Sequence, residues 1–295
     1  MRTKRKMKER KSLIGFIGQG YVGKNYADEF EHRGFSVVRY AVEKPYRRNR
    51  DRIRECEVVF IAVPTPTTPE GGFDASIIKG VLSLVGKGKI SVIKSTVLPG
   101  TTEAMQKAHP RIIILNSPEF LTEANARRDV AKPMRNIIGV PSDSPRHRRA
   151  ARLLLRILPR APFEKIMRAR DAELVKYGGN CLLYIKTLFI NILYDAAEGL
   201  GGSFAEVAEA MAADARLGKS HWKAIFDGGR GAGGHCFIKD FAAFSSFYSR
   251  VVKDPAGRAL LRAAEKKNIA LLLGSGKDAE LLRGVYGAKV RSKKK

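Results

Sequence analysis

One stretch of the chain crowds reactive side chains together: Gly228-Gly229-Arg230-Gly231-Ala232-Gly233-Gly234-His235-Cys236-Phe237-Ile238-Lys239-Asp240. Five glycines in seven positions give a loop that can wrap a ligand at close range. If a helix begins near Cys236, Asp240 lies one turn on and faces the same site. A thiol at a helix N-terminus, near a lysine, has its pKa lowered and becomes a nucleophile. A single cysteine otherwise serves as a small buried apolar residue, but Gly-Gly-His is a poor core flank. Lys176 and Asn180 are four apart, so on a helix they share a face. An ammonium and an amide aimed the same way can hold a developing oxyanion; the plainer alternative is an exposed helix face.

The elements that must position these groups alternate. Apolar runs read as strands over 12–17, 35–42, 57–63, 90–93 and 112–115, with a weaker one over 137–140. Helical segments read over 24–33, 74–86, 101–108, 121–128 and 144–157. Strands alternating with helices imply a parallel sheet covered on both faces. Three segments then fall at carboxyl ends of strands, where open α/β sheets bind ligands: Val63-Pro64-Thr65-Pro66, Lys94 to Thr101, and Ser117 to Glu123. Each is also an ordinary connecting-loop composition.

The first strand runs into Gly18-Gln19-Gly20-Tyr21-Val22-Gly23, a GxGxxG pattern that opens a helix. In this context the first glycine makes the turn, the second admits a pyrophosphate, and the third lets helix and strand pack closely. The helix N-terminus then faces the phosphates, so a dinucleotide is expected. The acidic residue that usually ends the second strand is missing. Ala41 stands in its place and Glu43 two residues on is the substitute. Arg39, Lys44, Arg47 and Arg48 lie nearby and suit a 2′-phosphate, so the cofactor is NAD, with NADP as the alternative.

Residues 168–200 form a long helical stretch that is apolar on more than one face, which requires burial. Two shorter helices are expected near 241–250 and 257–273. The fold class is thus α/β: a Rossmann-type parallel sheet over 12–165, then an all-helical domain over 166–285 with a long central helix, flanked by basic tails at 1–11 and 286–295.

The chain has 295 residues, is 44% hydrophobic and carries a formal charge of +26. The length allows two domains. Residues 1–11 hold seven lysines and arginines against Glu9, and residues 289–295 hold five. The remaining body is still strongly basic, which favours phosphate ligands or nonspecific nucleic-acid contact through the tails; a solvated basic surface is the plain alternative. Cys56, Cys181 and Cys236 are an odd, widely spaced set that suits a reducing compartment rather than a disulfide framework or zinc. No apolar run reaches the roughly 18 residues that span a membrane. The basic start imitates a signal peptide, but its apolar part is short and runs directly into the glycine motif. A cytoplasmic location is expected, with no membrane partner and no metal.

GxGYVG, AVPTP, KSTVLPGT, SPEFLTE, the Lys176–Asn180 helix and GGHCFIKD occur in one order across residues 12–245. Together they resemble the UDP-glucose/GDP-mannose dehydrogenase family. The resemblance implies a four-electron oxidation of a nucleotide-sugar primary alcohol to a uronic acid, using two nicotinamide cofactors in turn. It casts Cys236 as the nucleophile that forms a thiohemiacetal and then a thioester, and Glu119 as the residue that assists the hydrolytic water. Lys176 and Asn180 would stabilise oxyanions, and Asp240 would move a proton through a water. Thr96 and Glu123 match positions beside the nicotinamide and that water; Thr65 and Lys239 match cofactor contacts. Glu119, Phe120, Leu121, Lys176, Asn180, Arg216 and Gly233 match substrate positions. In the family the arginine reaches across a dimer interface, so a homodimer built on the long helix is implied.

The sequence departs from the family pattern in several places. The stretch 41–57 is short, and the span from Arg216 to Cys236 is about four residues longer than usual. Ile238 replaces a proline, and the family's third domain is expected to be missing. Arg230 and Lys219 are candidates to replace lost phosphate contacts. These changes loosen the substrate assignment more than the reaction. Two other readings stay open: a two-electron β-hydroxyacid-type dehydrogenase, which needs no nucleophilic cysteine, and a noncatalytic nucleotide- or nucleic-acid-binding relative.

Overall fold

A computed structural model describes residues 12–66, 73–287 and Val290. The tail expected at 1–11 lies outside the described residues, as do 288–289 and 291–295 of the one expected at 286–295, whose first residue ends a helix, Ala279–Tyr286. The chain divides into two compact units. The first comprises Met1–Thr65 and Ala75–Lys176; the second comprises Pro66–Asp74 and Tyr177–Lys295.

The first unit runs β1 (Leu13–Ile17), α1 (Tyr21–His32), β2 (Ser36–Tyr40), a 3-10 helix (Tyr46–Glu55), β3 (Val58–Ile61), α2 (Ser76–Leu82), β4 (Ile90–Ile93), α3 (Thr101–Ala108), β5 (Ile113–Asn116), α4 (Ala126–Ala131), β6 (Arg135–Val140), α5 (Pro145–Ile157) and β7 (Phe163–Arg168). The sheet order is β2-β1-β3-β4-β5-β6-β7. All pairs are parallel except β5 with β6, which meet antiparallel at Asn116 and Gly139. The order reverses between β1 and β3, the switch point where a dinucleotide binds in such sheets.

Central strands are buried on both faces and therefore read as largely apolar runs; every residue of Val58–Ile61 and Ile90–Ile93 is buried, Ser91 included. Phe16 stacks on Phe60 at 4.9 Å, and Phe30 of α1 meets both edge-on. Ser144 caps α5 by accepting from His147 N, with Pro145 in the first turn, the expected start signals. Strand β7 was not expected. It is an edge strand whose residues alternate between exposed and half-buried, so it offers no apolar run to read. The helix expected over 121–128 starts later, at Ala126, after a 3-10 turn. Asp129 accepts hydrogen bonds from Thr122 N at 2.9 Å and Thr122 Oγ1 at 2.7 Å, which holds the preceding residues extended.

Helix α6 spans Ala169–Gly199, and the division between the units falls inside it. The second unit continues with α7 (Phe204–Ala212), a hairpin of β8 (Ile225–Phe226) and β9 (Gly229–Arg230), α8 (Gly234–Val251), α9 (Pro255–Ser275) and α10 (Ala279–Tyr286). Its core gathers Cys181, Tyr184, Leu188, Ala232, Phe241 and Leu271, with Tyr184 stacked on Phe241 at 3.9 Å. The two helices expected here are α8 and α9, both longer than read. The hairpin, α7 and α10 were not expected; α7 buries no residue. Among the described residues no helix is long and apolar enough to cross a membrane.

Two contacts fix the start of α6 within the first unit. A Cβ on Gly139 would lie 2.8 Å from Ala169 Cα and 2.9 Å from Ala172 Cβ, so the helix rests directly on the backbone of β6. Glu173, 1% exposed, accepts hydrogen bonds from Gly100 N (2.6 Å), Thr102 N (2.8 Å) and Thr102 Oγ1 (2.6 Å). It thereby caps α3 from another element. Replacing Gly139 by Val should cost about 1–3 kcal/mol through overpacking, seen as a lowered urea midpoint. Burial pushes the Glu173 carboxyl from 4.5 up to about 7, against the pull of its three donors. The folded chain then holds this proton more tightly than the unfolded one, so stability from this group falls as pH rises through that window. The difference in urea midpoint between pH 5 and pH 8 should therefore shrink in Glu173→Gln.

Candidate functional site

The glycine loop has the geometry that its sequence requires. Gly18 has φ +90, and a Cβ there would lie 2.2 Å from Ala62 O. A Cβ on Gly23 would lie 1.9 Å from Gly18 O, whereas one on Gly20 would meet no atom within 4 Å. Two glycines therefore close the turn against the helix and the end of β3. The middle one leaves open the space that a pyrophosphate needs. No side chain of the N-cap residue Gly20 caps α1, Gln19 Nε2 donates to Gly18 O at 3.0 Å, and Gly18 N donates to Tyr40 O at 2.9 Å, which sets the end of β2 against the loop. Tyr21 and Val22 form the first turn of α1. The cradle fits a dinucleotide.

At the end of β2, Ala41 is buried and Glu43 exposed. Arg39 is not available to a 2′-phosphate as expected. Its guanidinium is held by Asp28 and Glu31, each at 2.7 Å. Lys44, Arg47 and Arg48 are exposed on the segment that follows. That segment is tied back by Asn49 Nδ2 donating to Arg39 O at 2.9 Å.

The strand-end segments are bound to one another. Thr65 Oγ1 donates to Thr96 O at 3.0 Å and Ser95 Oγ to Val63 O at 2.7 Å. Lys94, 2% exposed, donates to Ser117 O and Oγ, both at 3.1 Å, and its Nζ lies 4.2 Å from the centroid of the Tyr26 ring. Burial lowers its pKa to about 7, partly opposed by Glu119. Glu119 Oε1 pairs with Lys176 Nζ at 2.8 Å, both side chains being nearly buried, and Glu119 Oε2 accepts from Leu121 N at 2.7 Å. A buried pair of this kind is costly to break from either side, so each partner fixes the other. Phe120 lies under the Arg135 guanidinium at 3.8 Å. Glu123 opens the short 3-10 turn; its side chain lies outside the described ones.

In the second unit, α8 begins at Gly234 and places Cys236 in its first turn. Cys236 is exposed, whereas Cys56 and Cys181 are buried. Burial pushes the Cys56 thiol up to about 11. Burial and the nearby Asp240 push that of Cys181 up to about 12. Those two stay protonated near neutrality, which leaves Cys236 as the thiol open to reaction. Asp240, one turn on and 1% exposed, accepts from Asn180 Nδ2 at 2.6 Å and from Lys239 Nζ at 2.6 Å. Four of the expected residues, Cys236, Lys239, Asp240 and Asn180, are thus brought together. Among the described residues no cluster suits a metal.

Two of the expected cations have carboxylate partners. Arg216 pairs with its neighbour Asp214 at 2.6 Å with its side chain 88% exposed. Arg230 donates to Asn191 Oδ1 at 2.9 Å and Asp195 Oδ1 at 2.6 Å. Lys219 is exposed. Sequence reasoning missed Glu173 as the anchor of the Lys176 helix. The signal was available: Glu173, Lys176 and Asn180 follow i, i+3, i+7 spacing, which is one helix face.

The NAD binding domain of the UDP-glucose/GDP-mannose dehydrogenase family matches residues 41–157 and the family's central domain matches residues 170–269. The first match begins after the glycine loop, so that cradle stands on its own geometry. UDP-glucose 6-dehydrogenase of Pseudomonas aeruginosa is 31% identical over 261 residues, covering 82% of this chain and 50% of the relative. UDP-glucose 6-dehydrogenase AglM of Haloferax volcanii is 27% identical over 279 residues, covering 78% and 64%. A solved UDP-glucose dehydrogenase from Pyrobaculum islandicum superposes with a TM-score of 0.77 at 28% identity, covering 94% of this chain and 72% of that one. The chain spans about half the length of most of the curated relatives it matches. Both matched domains, in order and over most of the chain, place it in the UDP-glucose/GDP-mannose dehydrogenase family.

Proposed function

We propose that the chain oxidises the primary alcohol of a UDP-sugar to the uronic acid through a thiohemiacetal and then a thioester on Cys236. The observation that carries this reading is the exposed Cys236 thiol in the first turn of α8, one turn before an Asp240 carboxylate held by Asn180 and Lys239. Two nicotinamides, bound in turn, would supply the hydride acceptors, one for each oxidation. Gly18, Gln19, Gly20, Tyr21, Val22 and Gly23 would hold its pyrophosphate end. Glu43, Thr65, Thr96, Glu123 and Lys239 would contact the rest.

The alcohol carbon loses a hydride, and its hydroxyl proton leaves by way of Asp240 and a water. The Cys236 sulfur then bonds to the aldehyde carbon as the carbonyl oxygen takes a proton. The resulting tetrahedral carbon can release a second hydride as its hydroxyl gives up a proton to water, which yields the thioester. Lys176 and Asn180 donate to the oxyanions that form on the way. Water attacks the thioester carbon while Glu119 accepts its proton; the carbon–sulfur bond breaks, and the acid leaves with the thiol restored. Phe120, Leu121, Gly233 and Arg216 complete the substrate contacts. A cytoplasmic setting suits this thiol chemistry.

A homodimer is part of the same reading. Leu182, Ile185, Phe189 and Ile192 of α6 are 37–70% exposed at spacings that make one helical face, an apolar stripe of the kind that a second copy covers.

Offered UDP-glucose and related UDP-sugars with NAD or NADP, the protein should reduce two cofactors per acid formed, and Cys236→Ala should form no acid. One cofactor per product, or normal acid yield from that variant, overturns the thioester route. The β2 end carries no carboxylate at Ala41 to repel a phosphate, so NADP should serve with a KM within about tenfold of that for NAD. Removing Arg47 and Arg48 together should raise the KM for NADP about tenfold and leave that for NAD unchanged, since each charged contact to a phosphate carries roughly 1 kcal/mol or more. Equal effects on both cofactors would remove these arginines from the assignment.

A further inference from the structure

Asp278 occupies an unusual position. It is the N-cap residue of α10, where an aspartate normally accepts from its own helix, yet its side chain makes no cap bond there. Instead its Oδ2 accepts from Gly234 N, the first residue of α8, at 2.7 Å. Asp278 adopts the left-handed conformation, φ 55, which is uncommon outside glycine and is tolerated by aspartate. A Cβ on Gly233 would lie 2.2 Å from the same Oδ2, so this glycine is required by Asp278 as much as by any ligand.

Asp278 does not act alone. Asn268 of α9, 1% exposed, brackets Ala232: its Oδ1 accepts from Ala232 N at 2.7 Å and its Nδ2 donates to Ala232 O at 3.0 Å. The amide thus imitates a neighbouring strand. Ser275 Oγ accepts from Arg230 N at 3.0 Å, and Lys277 Nζ donates to Phe226 O at 2.6 Å. The hairpin and the glycine loop therefore hang on side chains of residues 268–278, none of which belongs to a motif read in the sequence.

We infer that Asn268 and Asp278 are positioning residues for Cys236: Asn268 fixes the path of the glycine loop, and the Asp278 carboxylate sets both the start of α8 and the reactivity of the thiol two residues on. A negative charge at a helix N-terminus opposes a thiolate placed in the same turn. Titratable groups among the described residues also include His235, Lys239 and Asp240 on the same helix as Cys236, Lys277 next to Asp278, and His221, whose ring lies 5.6 Å from that of Phe237, the residue after Cys236. The role assigned to the positioned thiol rests on the proposed function, whereas the positioning itself is tested without turnover.

Backbone amide exchange and Cys236 alkylation by iodoacetamide are measured on the full chain. Asn268→Ala should speed exchange at Ala232 and across residues 230–236 while the sheet of the first unit keeps its protection. Its kcat should fall roughly tenfold or more, with the cofactor KM unchanged. Asp278→Asn keeps an acceptor for Gly234 N and loses the charge, so it should retain slow exchange at Gly234 and alkylate about two- to fivefold faster at pH 7, the range that a charge at a helix end carries. Asp278→Ala should also lose protection at Gly234. Should Asn268→Ala not fold, the contrast between Asp278→Asn and Asp278→Ala carries the test: protection at Gly234 should be kept in the first and lost in the second. Unchanged exchange in Asn268→Ala, unchanged alkylation in Asp278→Asn, or equal protection at Gly234 in the two Asp278 variants overturns the inference. If exchange and alkylation respond as stated but the wild-type protein forms no acid, the positioning stands and the thioester reading fails.

Discussion

Three hydrogen bonds to one buried carboxylate set the rotation of α6 about its own axis. Glu173 can accept from Gly100 N, Thr102 N and Thr102 Oγ1 only if its side chain points at the start of α3. Lys176, one turn further, is then aimed at Glu119. Gly139 supplies the other half of the constraint by letting the helix touch the strand backbone. The chemistry proposed for Lys176 thus inherits its geometry from residues that perform none of it.

Much of the first unit was legible because its strands are buried on both faces. Val58–Ile61 is an uninterrupted apolar run and Ile90–Ile93 is broken only by the buried Ser91, and their positions were read closely. Where burial weakens, legibility fails. Strand β7 alternates between exposed and half-buried positions, and the 3-10 helix over Tyr46–Glu55 buries only Ile53. The glycine loop was readable for a different reason. The requirement at Gly18 and Gly23 is steric, local and absolute, so residue identity alone reports it.

The candidate site was legible at the residues whose chemical type is rare in its setting, Cys236 above all, and much less so at the residues that support them. Asn180 with Asp240 and Glu119 with Lys176 join segments 60 and 57 residues apart, separations at which nothing in a linear sequence announces a partner. The basic residues show the limit most clearly. Arg39 and Arg230 looked like phosphate ligands by charge and place, yet each is paired with carboxylates, Asp28 and Glu31 for the first and Asp195 for the second. The formal charge of +26 already counts those carboxylates; what the pairing changes is which of the cations a ligand meets unpaired.

The bracket that Asn268 forms around Ala232 also has a consequence in time. The glycine loop precedes its clamp by more than thirty residues, and its own glycines give it no conformational preference to fall back on. During synthesis, the sheet of the first unit has all its strands once residue 168 has emerged, and it can condense then. The loop that carries Cys236 gains the contacts that hold it only when the chain through residue 278 is available. A ribosome-bound chain of intermediate length would thus hold a formed dinucleotide cradle before the Cys236 loop is fixed.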